Sequence, residues 1–273
     1  MESEKSYFQA EQKEQPRNFE DLEIVTTTFY KEDPTSRLRS QLAIDMLEAT
    51  NRLGINVVVV DGGSNEEFLR KVQNLENVTL RIEPKSSMGE SRRQAIETAV
   101  NLSVERGIDS NYLWMEPEKV GLVTEDNLRN MIDVLRQNRA DIIVPCRRSK
   151  ETMPRMQRWI ENRANKRVKD KIADITNEEL DLWFGPKMFN RAGAEYFLNY
   201  KGKLDKWDSI IKPVVDAHQG GKIIASVPVD FEYTVKEREN EEVDRELKKK
   251  RITQYSQILA EMGDKFWQEK IKK

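Results

Sequence analysis

Four consecutive valines end the run INVVVV at residues 55–60, and the chain then turns sharply through Asp61-Gly62-Gly63-Ser64-Asn65. A strand that is apolar on both faces must be covered on both faces, which is the situation of a strand inside a parallel sheet. Parallel neighbours cannot be joined by a tight hairpin; they need a crossover, normally a helix. This one run therefore commits the chain to helices on either side of a sheet.

The rest of the first half supplies them in alternation. LEIVTTTF at 22–29 is β-branched and reads as a strand, with Pro34 and Thr35 punctuating the turn that follows. Leu38, Leu42, Ile44, Met46 and Leu47 then recur at near-helical spacing over 37–53, and Gly54 closes that helix. The pattern continues with helices at 66–73, 89–106 and 125–137 and strands at 78–83, 112–115 and 141–145. Five strand–helix alternations predict an α/β sheet with crossover helices. Ligands of such sheets bind at the carboxyl ends of the strands, so the loops TTTFYKEDP, DGGS, EPKSSMGE and EPEK converge on one rim.

The second half differs. Residues 153–173 form a long basic helical stretch, and LDLWFGPKMFN at 180–190 reads as an aromatic loop around a Gly-Pro turn. A helix over 192–198, a second beginning in KWDSIIKPVVDAHQGG, and a strand at 222–233 follow. Apolar residues at Ile252, Tyr255, Ile258, Leu259, Met262, Phe266 and Ile271 predict an amphipathic helix in the charged tail, packed on the body or on a second copy of the chain. The expected organisation is a disordered lead-in at 1–20, a domain at 21–235 with a nucleotide half (21–150) and an acceptor half (151–235), and a charged helical tail at 236–273.

Charge excludes some functions. The 46 basic and 48 acidic residues leave a formal charge of -2, which gives nucleic acid or an anionic membrane no global attraction. No apolar run reaches the roughly 18 residues that span a bilayer. The polar first twenty residues lack the apolar core of a secretory signal, so cytoplasm is the expected compartment. Cys146 is the only cysteine, which excludes an intrachain disulfide.

Chemistry-bearing residues cluster at the rim. Asp61, directly after the valines, either accepts hydrogen bonds from a base or ribose or simply caps its loop. Thr26, Thr27 and Thr28 end the first strand and offer hydroxyls there. Gly89 at a helix start frees backbone amides, and Arg92 and Arg93 in the first turns can meet phosphate oxygens. In Glu116-Pro117-Glu118 the two carboxylates share a face if the strand continues, and together they could hold Mg²⁺ or Mn²⁺. Two further readings stay open: a solvated acidic turn, or a diphosphate neutralised without metal by Lys119 with Arg92 or Arg93.

The order of these elements (a first strand with a polar loop, VVVVDGGS, K-x-x-x-G followed by Arg92 and Arg93, then an acidic pair after the fourth strand) resembles the glycosyltransferases of the GT-A fold, in their family-two-like branch, over roughly residues 23–233. The later segment from Lys206-Trp207-Asp208 is similar to the corresponding part of mannosylglycerate-synthase-type enzymes. The resemblance implies a sugar transferred from a nucleoside-diphosphate sugar to an unidentified acceptor. It places the nucleoside in the first two loops and a metal with the sugar diphosphate at the acidic pair, and it makes Asp208, with Asp205 as fallback, the acceptor-side carboxylate. An N-cap for the following helix is the alternative for Asp208. Here Glu116 and Glu118 replace the aspartates of the family's D-x-D, and Asp230-Phe231-Glu232-Tyr233 stands where a metal-binding histidine is expected. A non-catalytic nucleotide-sugar-binding module is the competing function. A nucleotidyltransferase is disfavoured because TTTFYKEDP has no glycine to wrap a phosphate.

Overall fold

A computed structural model describes residues 19–84, 86–169, 180–202, 204–235, 238, 239 and 245–263. The chain alternates β1 (Leu22–Thr28), α1 (Pro34–Arg52), β2 (Asn56–Asp61), α2 (Glu66–Gln73), β3 (Val78–Ile82), α3 (Met88–Arg106) and β4 (Asn111–Trp114). It continues through a short 3₁₀ turn at Val120–Leu122, α4 (Glu125–Gln137), β5 (Ile142–Arg147), α5 (Arg155–Lys169), β6 (Lys187–Phe189), α6 (Arg191–Leu198), α7 (Asp208–Gln219), β7 (Ile224–Val229) and α8 (Arg245–Glu261).

Local chemistry sets the helix ends. Asp33 caps α1 by accepting from the Ser36 amide, with Pro34 at the position where a missing N–H costs nothing. Ser87 and Glu90 form a reciprocal capping box on α3, and Gly107 ends that helix in the left-handed conformation at φ 70°.

The seven strands lie in the order β3-β2-β1-β4-β6-β5-β7. All pairs are parallel except those of β6, which runs antiparallel to both β4 and β5. Strand β6 falls in the stretch expected to be an aromatic loop. Its three residues follow the Gly185-Pro186 turn, too short a run to show a period.

The valine run behaves as its composition demands. Val57 and Val59 join Leu22, Ile24 and Leu113 in a core under α1, α2 and α4. Val58 and Val60 join Tyr112 and Trp114 in a second core under α3, α6 and α7. Helix α8 packs against α5 and α7 of the same chain, with Tyr255, Ile258, Leu259 and Met262 buried in that second core. Of the stripe's described residues these four pack on the body of the same chain, one of the two expected arrangements, while Ile252 is 42% exposed and Phe266 and Ile271 lie outside the described residues. Phe19 is also buried against the body, although it falls two residues inside the expected lead-in; residues 1–18 lie outside the described residues. No helix among the described residues is long and apolar enough to cross a membrane.

Candidate active site

Strand order reverses at β1: the chain builds outward through β2 and β3, then returns to place β4 on the other side of β1. The loops after β1 and β4 therefore part beside one another at the carboxyl rim, which is where open α/β sheets bind ligands. They are stitched together there, since Thr26 Oγ1 donates to the Met115 carbonyl at 2.8 Å and Tyr30 Oη donates to Glu118 at 3.1 Å.

Strand β4 stops at Trp114, so the two-residue period no longer applies when the chain reaches Glu116. Pro117 sits in a turn closed by the Lys119 amide on the Glu116 carbonyl at 3.0 Å, a position suited to its fixed φ and missing N–H. The turn gives the two carboxylates different surroundings. Glu118 is 8% exposed and held by Tyr30 and by an ion pair to Arg39 at 2.6 Å. Burial, then the adjacent Glu118 charge, pushes the Tyr30 phenol well up. Glu116 instead presses against Gly185, where any Cβ would collide with both carboxylate oxygens. Its Oε2 is buried and has no hydrogen-bond partner.

A cavity of about 500 Å³ opens over this turn, within the usual size of ligand pockets. Glu116, Glu118 and Lys119 line one end, with Gln157 and Glu161 from α5 and Tyr233 after β7. Behind them lies a charge network closed to water. Arg147 makes a bidentate pair with Asp181 at 2.8 and 3.0 Å, reaches Glu161 at 2.5 Å, and donates to the Tyr233 hydroxyl at 3.2 Å. Lys187 anchors the loop that carries Gly185: its ammonium donates to the carbonyls of Leu182, Phe184, Gly185 and Pro186. Burial lowers that lysine to about 7.

The other sequence-selected residues face elsewhere. Asp61 is fully buried and takes the loop-capping role, accepting from the amides of Gly63 and Ser64 and from the hydroxyls of Thr28 and Ser64. Thr26 and Thr28 spend their hydroxyls on Met115 and Asp61. Asp208 is 0% exposed, accepting from the amides of Asp205 and Lys206 and from Tyr200 Oη, so it organises its own loop and does not face the cavity. Asp205 lies on the amino end of α3: its carbonyl accepts from Gly89, and its carboxylate accepts from Ser87 and pairs with Arg93 at 2.6 Å. Arg93 and Ser87 hold that carboxyl below the usual range despite partial burial. Arg92 is buried between the indoles of Trp114 and Trp207, 4.7 Å from each, and burial lowers it to about 10. Lys85, the first residue of K-x-x-x-G, lies outside the described residues.

Gln157, Glu161, Arg39, Tyr233 and Gly185 were not singled out from sequence. Gln157 and Glu161 stand four apart on one face of a helix, a signal drowned by the basic residues around them.

No protein-family model matches the sequence, and no curated protein matches it. Solved structures do. Glucosyl-3-phosphoglycerate synthase from Mycobacterium tuberculosis, in complex with Mn²⁺, uridine diphosphate and glucosyl-3-phosphoglycerate, superposes with a TM-score of 0.57. The match covers 89% of this chain and 80% of that one, at 10% identity. The same enzyme in complex with phosphoglyceric acid matches at 0.56, with 11% identity and the same coverage. This is the GT-A-type fold. The mostly parallel seven-stranded sheet and its flanking helices are those expected from the sequence resemblance. Within a GT-A-type sheet the E-P-E turn occupies the rim after β4, beside the loop after β1.

That turn is a poor two-carboxylate metal clamp. Glu118 is committed to Arg39 and Tyr30, and among the described residues no three His, Cys, Asp or Glu side chains gather to hold a metal ion. Glu116 is the member of the pair with an oxygen to offer.

Proposed function

We propose that the chain transfers a sugar from a nucleoside-diphosphate sugar to an acceptor hydroxyl, with Glu116 at the reacting centre. The observation that carries this reading is Glu116 at the carboxyl end of β4, which lines a ligand-sized cavity and keeps one buried carboxylate oxygen without a hydrogen-bond partner. The acceptor oxygen bonds to the anomeric carbon, and the bond from that carbon to the diphosphate oxygen breaks. The nucleoside diphosphate departs, and the hydroxyl proton passes to Glu116. A divalent cation, if bound, would have only Glu116 of the acidic pair to hold it and would supply charge neutralisation to the leaving diphosphate; the proton-accepting role is that of Glu116 without a cation. On the nucleotide side, Phe29 is 53% exposed at the end of β1, with its ring against Gly62, and offers a face on which a base can stack. UDP-glucose is the first donor to test, because UDP and UDP-glucose are bound by the structurally similar mycobacterial enzyme.

The decisive measurement is nucleoside diphosphate release from UDP-, GDP- and dTDP-sugars, with and without Mn²⁺. Glu116→Gln is expected to lower kcat by about 10²–10⁴, the usual worth of a positioned acid–base group, with donor affinity retained. Absence of both binding and turnover at millimolar donor would overturn the reading. The competing reading, a non-catalytic binding module, is favoured by one feature: Asp205 already fills the amino end of α3. Donor binding without turnover in the unmodified chain would select it.

A further inference from the structure

Two leucines of α1 belong to neither hydrophobic core. Leu38 and Leu42, one helical turn apart, are only half-buried, and both line the cavity above the E-P-E turn. Ile210 and Ile211 from α7, and Tyr255 and Ile258 from α8, line the same space. Three helices thus contribute two apolar side chains each to a volume of about 500 Å³, where about 30 Å³ suffices for one water.

The opposite end is polar and incompletely satisfied. Gln157 is 7% exposed, and its Nε2 donates to Glu161 Oε1 at 2.6 Å and to Tyr233 Oη at 3.0 Å. A carboxylate only accepts, so the amide cannot be turned around, and Gln157 Oε1 is left buried without a partner. Glu116 Oε2 is in the same condition on the same cavity. Two buried acceptors without donors lose the hydrogen bonds that water would give them; neither has accessible surface, so a ligand hydroxyl restores those bonds once the side chains turn toward the cavity they line. The charges in the lining balance: Arg39, Lys119 and Arg251 are offset by Glu116, Glu118 and Glu161, so nothing there selects a multiply charged anion.

From this juxtaposition we infer that the cavity beneath α8 is an acceptor subsite for an uncharged amphiphile, a hydroxyl-bearing headgroup held at Gln157 and Glu116 with a hydrocarbon body lying between α1, α7 and α8. The inference rests on the transferase reading for the word acceptor and on the cavity alone for the ligand class. It distinguishes this chain from a fold that can equally well serve small phosphorylated acids.

The test is calorimetric binding of butyl, hexyl and octyl β-glucosides to the full chain, each below its micelle concentration, with UDP-glucose titrated in parallel. Affinity is expected to rise about fourfold per added methylene, the worth of burying one CH₂. Gln254→Trp, which places a bulky ring in the lining from a half-buried position on α8, is expected to abolish the dependence on chain length. Gln157→Leu is expected to weaken all three ligands alike and leave the dependence intact. Affinity that is flat in chain length, or a dependence untouched by Gln254→Trp, overturns the inference. Binding seen only after removal of residues 1–18 also overturns it, since the chain would then be its own occupant. UDP-glucose binding with a flat chain-length series leaves the transferase reading standing. A steep series without any nucleotide-sugar binding leaves the subsite and removes the transferase.

Discussion

Gly185 and the Glu116 carboxylate are in contact, with no room for a Cβ between them. A residue after an aromatic pair thereby fixes the carboxylate at the end of β4. Gly185→Ala is expected to displace Glu116 and lower nucleoside diphosphate release about a hundredfold, in the range for losing a positioned carboxylate. The melting temperature should change little, because the colliding atoms are the end of a flexible side chain. A variant with full activity would show that Glu116 need not be held there.

Asp205 acts on α3 as an internal anion. Asp205→Ala frees Ser87 and Arg93 from the carboxylate and removes its charge from the amino end of α3, while the backbone carbonyl stays on the Gly89 amide, so UDP is expected to bind severalfold tighter by calorimetry. The carboxyl's folded pKa is depressed. Its contribution to stability is therefore present above the unfolded value near 3.8 and is lost as pH falls through the lower folded value. Acid denaturation of the wild type and of Asp205→Ala should converge in that window.

Lys187 gives the opposite sign. Its folded pKa of about 7 lies below the ordinary 10.5, so between these values the unfolded chain binds the extra proton and stability rises with pH. Melting temperatures of the wild type relative to Lys187→Met should climb from pH 7 to pH 10. A level difference would show that the ammonium keeps its charge inside the carbonyl cage.

Asp181→Asn removes one carboxylate from buried Arg147 and is expected to cost on the order of 3 kcal/mol, read from the denaturant midpoint. Glu161→Gln spares the bidentate pair and should cost less.

The parallel sheet was legible because burial on both faces leaves its mark on the four valines of β2, and helices α2 and α4 announce themselves by cap and period. Strand β6 was not, because three residues cannot display alternation. At the site, the pairing of an acidic turn with the sheet's rim was readable, but the division of labour between Glu116 and Glu118 was not. It depends on Tyr30, Arg39 and Gly185, which are 86, 77 and 69 residues from Glu116 along the chain. Asp208 shows the same limit: an aspartate opening a helix reads alike whether it faces a substrate or its own loop. Only the partners Tyr200, Asp205 and Lys206 decide it.

The reversal of β6 has a consequence for how such a chain can change. Because β6 runs against β5 and pairs beside it, with Met188 opposite Ile143, the polypeptide leaves the sheet after Arg147 and re-enters at Lys187 on the same rim, in the neighbouring strand. Everything between those two residues is an excursion with both feet on one threshold. It can lengthen, shorten or be exchanged for another segment without moving the register of any other strand. Helix α5, with Gln157 and Glu161, rides on that excursion, so the part of the molecule that meets one end of the cavity is also the part most easily grafted.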